Sequence, residues 1–280
     1  MIRRSLLLTA AASLAACSPA AILNATISDR GVAVTSDIAY GPGPRRTLDV
    51  YRPTTQGGNL PLVVFLYGGS WRTGDKGMYP FIAEPLARRG AIVVVPDYRL
   101  YPEVEFPAFL EDNASAVAWA HAHARELGTD PARLIVFGHS AGAYNAAMLA
   151  LDPSFLRAAG FDRNRLAAVI GLAGPYDFLP ITDPDVIPVF ASVNDGPASQ
   201  PITYVDGRNP PMFLAAGTDD TTVKPRNTES LAARIRARGG RVESKLYPGL
   251  GHIGIVTAFA PLFESRAPVL DDVWSFIAAH

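Results

Sequence analysis

Leu134-Ile135-Val136-Phe137-Gly138-His139-Ser140-Ala141-Gly142-Ala143 holds the chain's most informative pattern. The apolar run 134–137 reads as a strand. It ends in G-x-S-x-G, and a small-residue helical pattern begins at once. Strand, sharp turn and helix in succession put Ser140 at the tip. Gly138 and Gly142 carry no Cβ, so the chain can bend tightly and helix and strand can close on each other. A serine held there projects its hydroxyl from the C-terminal edge of a sheet, with its backbone near a helix N-terminus. The bare pattern is common in a Gly-rich and Ala-rich chain. Its meaning turns on whether a base, an acid and oxyanion donors lie elsewhere.

The chain has 280 residues, 49% hydrophobic and 18% charged, ample for one sizeable core. A formal net charge of −1 gives no ground for a nucleic-acid partner. Arg234, Arg236, Arg238 and Arg241 near a predicted helix end read as a solvated face. Apolar runs and helical patterns alternate, which predicts an α/β fold with helices on both faces of a mostly parallel sheet. Strands are expected at 32–40, 47–51, 62–66, 91–95, 134–137, 168–172, 211–216 and 242–247. The first two read as an antiparallel pair about Gly41-Pro42-Gly43-Pro44. Helices are expected at 77–89, 107–127, directly after Ser140, at 225–238 and at 267–278. Pro107 and Gly128 punctuate the second of these. Residues 177–209 are rich in Pro, Asp, Ser and Gly and lack periodicity. They are expected to form a short cap over the sheet edge, not a separate domain.

The N-terminus reads differently. Arg3 and Arg4 precede an apolar run at 6–16, too short to span a bilayer stably, as in an export signal. Leu14-Ala15-Ala16-Cys17 resembles the bacterial lipobox. That resemblance implies a signal peptide over 1–16, lipidation of Cys17, a tether over 17–29 and a folded domain over 30–280. The protein would then be exported and membrane-attached through its lipid, facing the periplasm or anchored at the outer membrane. An ordinary signal peptide cleaved elsewhere is the alternative. Cys17 is the single cysteine, so no intrachain disulfide is possible.

A serine hydroxyl needs a base to accept its proton. Of five histidines, His121 and His123 lie in the long predicted helix, and His280 is the last residue. His139 sits inside the turn and is expected to point away from the site. His252 remains, in Tyr247-Pro248-Gly249-Leu250-Gly251-His252, just after the last strand. The acid that orients it must end a core strand between Ser140 and His252. Asp219 and Asp220, in Gly217-Thr218-Asp219-Asp220-Thr221-Thr222-Val223, both qualify. Asp177 also follows a core strand but reads as a turn or cap residue. Oxyanion donors are expected from the backbone N–H of Ala141 and from the loop Tyr67-Gly68-Gly69-Ser70-Trp71, which makes Gly68, Gly69, Ser70 and Ala141 the pool. No cysteine pair and no histidine cluster has ligand spacing, so no metal or cofactor is expected.

Tyr67-Gly68-Gly69-Ser70-Trp71 with Gly74-Asp75-Lys76 resembles the H-G-G-x-W…G-D-K signature of HGGG-type α/β-hydrolases. The resemblance is to their carboxylesterase, feruloyl-esterase-like and arylformamidase-like branches. Pro96-Asp97-Tyr98-Arg99-Leu100 resembles their D-Y-R-L element, and the loop G-x-x-D-x-x-V resembles their acid loop and selects Asp220 over Asp219. The resemblance covers about residues 45–279. It implies an α/β-hydrolase fold and a Ser140–His252–Asp220 serine esterase acting on small or medium acyl esters, such as acetyl or feruloyl esters. An amidase, formamidase or acyltransferase would share these residues. A surface-anchored binding protein on an inactive hydrolase fold is the reading from another class. One departure stands out: the family's first motif residue is usually His, and here it is Tyr67, whose hydroxyl is expected to support the loop.

Overall fold

The computed structural model describes residues 19–27, 30–55, 57–194 and 196–280. The signal segment and Cys17 lie outside the described residues. The chain runs α1 (Pro19–Ala25), β1 (Val32–Ala39), β2 (Thr47–Pro53), β3 (Leu60–Leu66), α2 (Pro80–Arg88), β4 (Ile92–Pro96), α3 (Ala108–Leu127) and β5 (Thr129–His139). It continues with α4 (Ala141–Leu151), α5 (Pro153–Ala158), β6 (Ala168–Leu172), β7 (Met212–Gly217), α6 (Arg226–Ala237), β8 (Val242–Tyr247), α7 (Gly254–Thr257) and α8 (Val269–Ala279). The eight strands form one sheet in the order β1-β2-β4-β3-β5-β6-β7-β8. β2 runs antiparallel to both neighbours, and the remaining pairings are parallel.

Strand periodicity divides the core. Along β3, Val63, Phe65 and then Tyr67 enter one apolar cluster, while Leu62, Val64 and Leu66 enter the other. β5 divides the same way, with Ile135 and Phe137 on the first face and Leu134 and Val136 on the second. The first face is covered by α2 and α8 through residues such as Phe81, Leu86, Val273 and Ile277. The second is covered by α3, α4 and α6 through Val117, Ala120, Ala147, Leu231 and Ile235. Strands covered on both faces need continuous apolar runs, which is what the central strands carry.

This is the expected α/β-hydrolase sheet, with three local differences. The helix expected at 77–89 splits into a 3-10 turn (Lys76–Met78) and α2, because Pro80 lacks an N–H and starts a new helix at its first position. β5 begins at Thr129, opposite Leu60, and is longer than the apolar run because a register shift carries the pairing through polar residues. The tether expected over 17–29 is corrected by α1. Leu23 is buried in the core, the Asn24 Oδ1 accepts the Phe81 N–H (3.2 Å), and its Nδ2 donates to the Gly77 and Met78 carbonyls (3.4 Å each). Asn24 thereby satisfies one of the free donors at the start of α2, so this helix is docked on the domain.

Residues 177–209 lie between β6 and β7 as expected. Their prolines interrupt any α-helix, and three 3-10 turns result: Ile187–Val193, Pro197–Ser199 and Pro201–Tyr204. Val189 and Phe190 of the first turn are buried in the main core, so the cap is packed down on the domain.

Candidate active site

The turn around Ser140 is built by two close approaches. A Cβ on Gly138 would come within 2.1 Å of the Gly142 carbonyl oxygen, and one on Gly142 within 1.9 Å of the Leu66 carbonyl oxygen. Ser140 between them has φ 55° and ψ −123°, a conformation an L-residue keeps only when its surroundings enforce it. Its N–H donates to the Leu172 carbonyl (2.9 Å), and its own carbonyl accepts the Tyr144 N–H of α4 (3.0 Å). Ser70, Trp71 and Ala173 also have positive φ. With Ser140 they gather strained backbone where β3, β5 and β6 end.

Three distant segments meet here. His252 Nε2 lies 2.8 Å from Ser140 Oγ, and His252 Nδ1 lies 2.8 Å from Asp220 Oδ2. The other Asp220 oxygen accepts the Thr222 N–H (2.9 Å) and the Val223 N–H (2.8 Å). Asp220 is 3% exposed, whereas Asp219 is exposed and accepts the Thr218 hydroxyl. Of the two adjacent aspartates, Asp220 is the one the fold brings to His252. Asp177 is remote from this line; its N–H donates to Asn227 Oδ1 (2.9 Å). His121, His123 and His280 also bond elsewhere or stand apart from it.

His139 departs from the sequence expectation. It does not point away: its Nε2 lies 3.1 Å from the His252 carbonyl oxygen, and the two rings sit 5.0 Å apart. Residues 135, 137 and 139 share one face of β5, the face onto which the chain returns after β8 through Leu250 and α7. Strand parity places His139 on the face of Ile135 and Phe137, but the segment that arrives over that face comes from far along the chain. Burial, and secondarily the neighbouring His252, push the His139 imidazole down to about 3.

The Gly68-Gly69 loop, expected to supply oxyanion donors, follows β3. A Cβ on Gly68 would press on Ser140 Cβ at 2.9 Å, so only glycine lets this loop pass so near Ser140. Gly69 has φ 124°, and its carbonyl accepts the N–H groups of Arg72 and Thr73 (3.0 Å each). Trp71 is buried beneath the loop, donates Nε1–H to Asn145 Oδ1 (2.9 Å), and packs edge-on against Tyr144 and Phe190. The loop and the N-terminus of α4 therefore stand on either side of Ser140. The expected donor pool of Gly68, Gly69, Ser70 and Ala141 lies at these two places.

Tyr67 occupies the position where the related motif has His. Its ring stacks between Tyr79 (5.4 Å) and Tyr98 (4.7 Å). Its hydroxyl donates to Asp97 Oδ1 (2.8 Å) and accepts from Arg45 Nη2 (2.9 Å). Asp97 also accepts the Lys76 N–H (2.8 Å), while Arg45 donates to the Gly74 carbonyl (2.7 Å) and Nε–H to the Tyr98 carbonyl (2.9 Å). The D-Y-R-L and G-D-K segments are thus the two anchors of the loop that starts at Tyr67. Arg45 was not singled out from the sequence, since nothing local marks it. Burial raises the Asp97 carboxyl despite the Tyr67 hydroxyl and the Lys76 N–H that favour its charged form. Burial likewise holds the Tyr67 phenol well above the usual tyrosine range.

The BD-FAE family model matches residues 48–235, about two-thirds of the chain. The chain belongs to the BD-FAE family. BD-FAE is a carboxylesterase family of the α/β-hydrolase superfamily, and its matched span holds Ser140, Asp220 and the loop 67–71, with His252 just beyond. A probable isoprenylcysteine alpha-carbonyl methylesterase of Arabidopsis thaliana is 29% identical over 241 residues, covering 78% of this chain and 51% of that protein. A probable carboxylic ester hydrolase of Mycobacterium tuberculosis is 30% identical over 227 residues, covering 74% of this chain and 53% of that protein. This BD-FAE chain therefore spans about half the length of these two relatives. Among solved structures, esterase B from Lactobacillus rhamnosis in a tributyrin phosphonate-inhibited form superposes with TM-score 0.77 at 20% identity, covering 93% of this chain and 92% of that one. A hyperthermophilic esterase from Pyrobaculum calidifontis gives 0.73 at 24% identity, covering 93% and 90%. At these identities the two structures speak for the fold.

Proposed function

We propose that this chain is a serine carboxylic-ester hydrolase acting through Ser140, His252 and Asp220. The observation that carries the reading is the unbroken line of hydrogen bonds from Ser140 Oγ through His252 to Asp220, each link 2.8 Å. Membership of a carboxylesterase family supports the same reaction class. In this reading His252 takes the Ser140 proton as Oγ attacks the acyl carbon. Backbone N–H groups from the pool Gly68, Gly69, Ser70 and Ala141 receive the oxyanion, and His252 then protonates the departing alcohol. Water, deprotonated by the same histidine, cleaves the acyl-enzyme. Asp220 holds the imidazole with Nδ1–H directed at itself and Nε2 bare toward Ser140.

Small or medium acyl groups, acetyl and feruloyl among them, are the proposed substrates. The space beneath the oxyanion loop is filled by Trp71, Phe109, Tyr144 and Phe190, whose rings interlock at 4.9–6.1 Å. That packing supports a preference for shorter acyl groups. The test is a panel of nitrophenyl esters of graded acyl length with acetylated and feruloylated sugars, run beside Ser140→Ala. Ester turnover that survives in Ser140→Ala would sink the assignment, as would absence of fluorophosphonate labelling on the folded wild type. Faster cleavage of anilides than of matched esters would move it to an amidase.

We also propose that Cys17 carries a lipid and attaches the protein to a membrane on the periplasmic side. The supporting observation is the Leu14-Ala15-Ala16-Cys17 sequence after a short apolar run. With α1 docked through Leu23 and Asn24, an anchor at Cys17 would hold the domain close to the bilayer. Fractionation of the full-length protein and Cys17→Ala tests this: the variant should leave the membrane fraction, and equal partitioning of both would refute the anchor.

A further inference from the structure

His139 is a buried imidazole with no part in the proton relay described above. It is the last residue of β5, so its backbone is fixed by the pairing of His139 with Leu172 in β6. Its Nε2 faces the His252 carbonyl at 3.1 Å. A carbonyl oxygen can only accept, so Nε2 carries the hydrogen. Burial keeps the ring uncharged at ordinary pH, which leaves Nδ1 bare. That nitrogen lies toward the oxyanion loop, since a Cβ on Gly68 would come within 3.4 Å of it. The ring is therefore wedged between the loop that carries the oxyanion donors and the loop that carries the base.

The base loop needs such a hold. It connects β8 to α7 through Gly249, Leu250 and Gly251, and Ile253 beside the histidine is 60% exposed. Leu250 fixes its start, with its carbonyl accepting the Asp219 N–H (3.0 Å). The His252 carbonyl is fixed by His139. A loop rich in glycine has wide backbone freedom, and the distance from base to nucleophile tolerates little drift.

We propose that His139 is a positioning residue, whose Nε2–H clamps the His252 backbone to the end of β5 so that the base stays in reach of Ser140. The proposal rests on the Ser140–His252–Asp220 reading. It assigns a role to the residue directly before the nucleophile that requires a side-chain donor at the place of Nε2. His139 touches neither substrate nor the transferred proton, so its effect passes entirely through His252.

The test compares wild type with His139→Leu, His139→Met and His139→Gln on nitrophenyl acetate. The leucine and methionine variants fill the space without a donor, and the glutamine amide restores an N–H near Nε2. Loss of the clamp should lower kcat by roughly 10- to 100-fold, the scale of a misplaced catalytic group, with KM nearly unchanged. The rate of fluorophosphonate modification should fall in parallel, and glutamine should recover most of both. A donorless variant with wild-type kcat overturns the proposal, as does a glutamine variant as slow as leucine. If both donorless variants fail to fold, the glutamine variant decides: kcat near wild type sustains the clamp, and a loss like that expected for leucine ends it. A wild type inactive on every ester and unlabelled at Ser140 would instead remove the catalytic reading itself, and the clamp with it.

Discussion

Replacing Asp220 with Asn tests the electrostatics of the site without changing its shape. In the wild type one carboxylate oxygen accepts two backbone N–H groups, from Thr222 and Val223, and the other faces His252 Nδ1. An amide has one oxygen. Placing it on the two backbone donors leaves the NH2 group against Nδ1, and the reverse placement aims NH2 at two N–H groups. The first arrangement is the less costly, and it forces the imidazole into the tautomer with Nδ1 bare and Nε2 protonated. That tautomer donates to Ser140 instead of accepting its proton. The charge is lost as well. A unit charge about 4 Å from the imidazolium centre contributes about 4 kcal/mol at an effective dielectric near 20. At about 1.4 kcal/mol per decade that alone is a rate factor near 10³, and the wrong tautomer carries the loss toward about 10⁴. The assay is kcat on nitrophenyl acetate with thermal melts in parallel, beside Asp219→Asn. Asp219 meets only the Thr218 hydroxyl and is exposed, so its variant should keep most of the activity. The reasoning fails if Asp220→Asn, still folded, retains more than about a tenth of wild-type kcat, or if Asp219→Asn is the more damaged.

Three further outcomes follow from the same contacts. The depressed His139 makes the fold sensitive to acid: the unfolded chain takes up a proton near 6.5 that the folded chain refuses down to about 3, so stability falls as pH drops through that window. The limiting slope for this one group is about 1.4 kcal/mol per pH unit, and urea titrations should show a shallower loss in His139→Gln; equal slopes would contradict it. Gly142→Ala sets a Cβ 1.9 Å from the Leu66 oxygen and 2.6 Å from the Tyr67 oxygen, both backbone, whereas Gly58→Ala meets nothing within 4 Å. The first should lose about 3 kcal/mol by denaturant melts and the second almost nothing, and similar losses would refute the packing account. Tyr67→Phe strands Asp97 and Arg45 without their shared hydroxyl. It should lower stability by about 1–3 kcal/mol and slow ester turnover through a looser oxyanion loop, so an unchanged melt and rate would show the hydroxyl to be idle.

The sharp turn at Ser140 was legible because its requirement is local. Glycines two residues either side of Ser140 remove Cβ atoms that would strike backbone, and the neighbouring strand and helix patterns are read from short windows. His252 was legible by elimination, and the parity of β3 and β5 assigns each core residue to a face. The failures were of another kind. Nothing within a few residues of His139 tells that the chain, more than a hundred residues later, returns over its side of β5. Arg45 lies in a turn and acquires its meaning only when Tyr67, Gly74 and Tyr98 converge on it. Residues 19–25 looked like a tether because α1 is short, and its stability comes from Leu23 and Asn24 docking near α2.

By itself, then, the sequence determined the sheet-and-helix architecture, the turn that exposes Ser140 and the kinds of side chain that meet it, because these follow from periodicity and local sterics. Tertiary structure alone decided which segment arrives over His139 and how Arg45, Asp97 and Lys76 anchor the Tyr67 loop. Each depends on hydrogen bonds between segments far apart in the chain, and an alternation of two or of 3.6 residues carries no record of which distant partner will arrive.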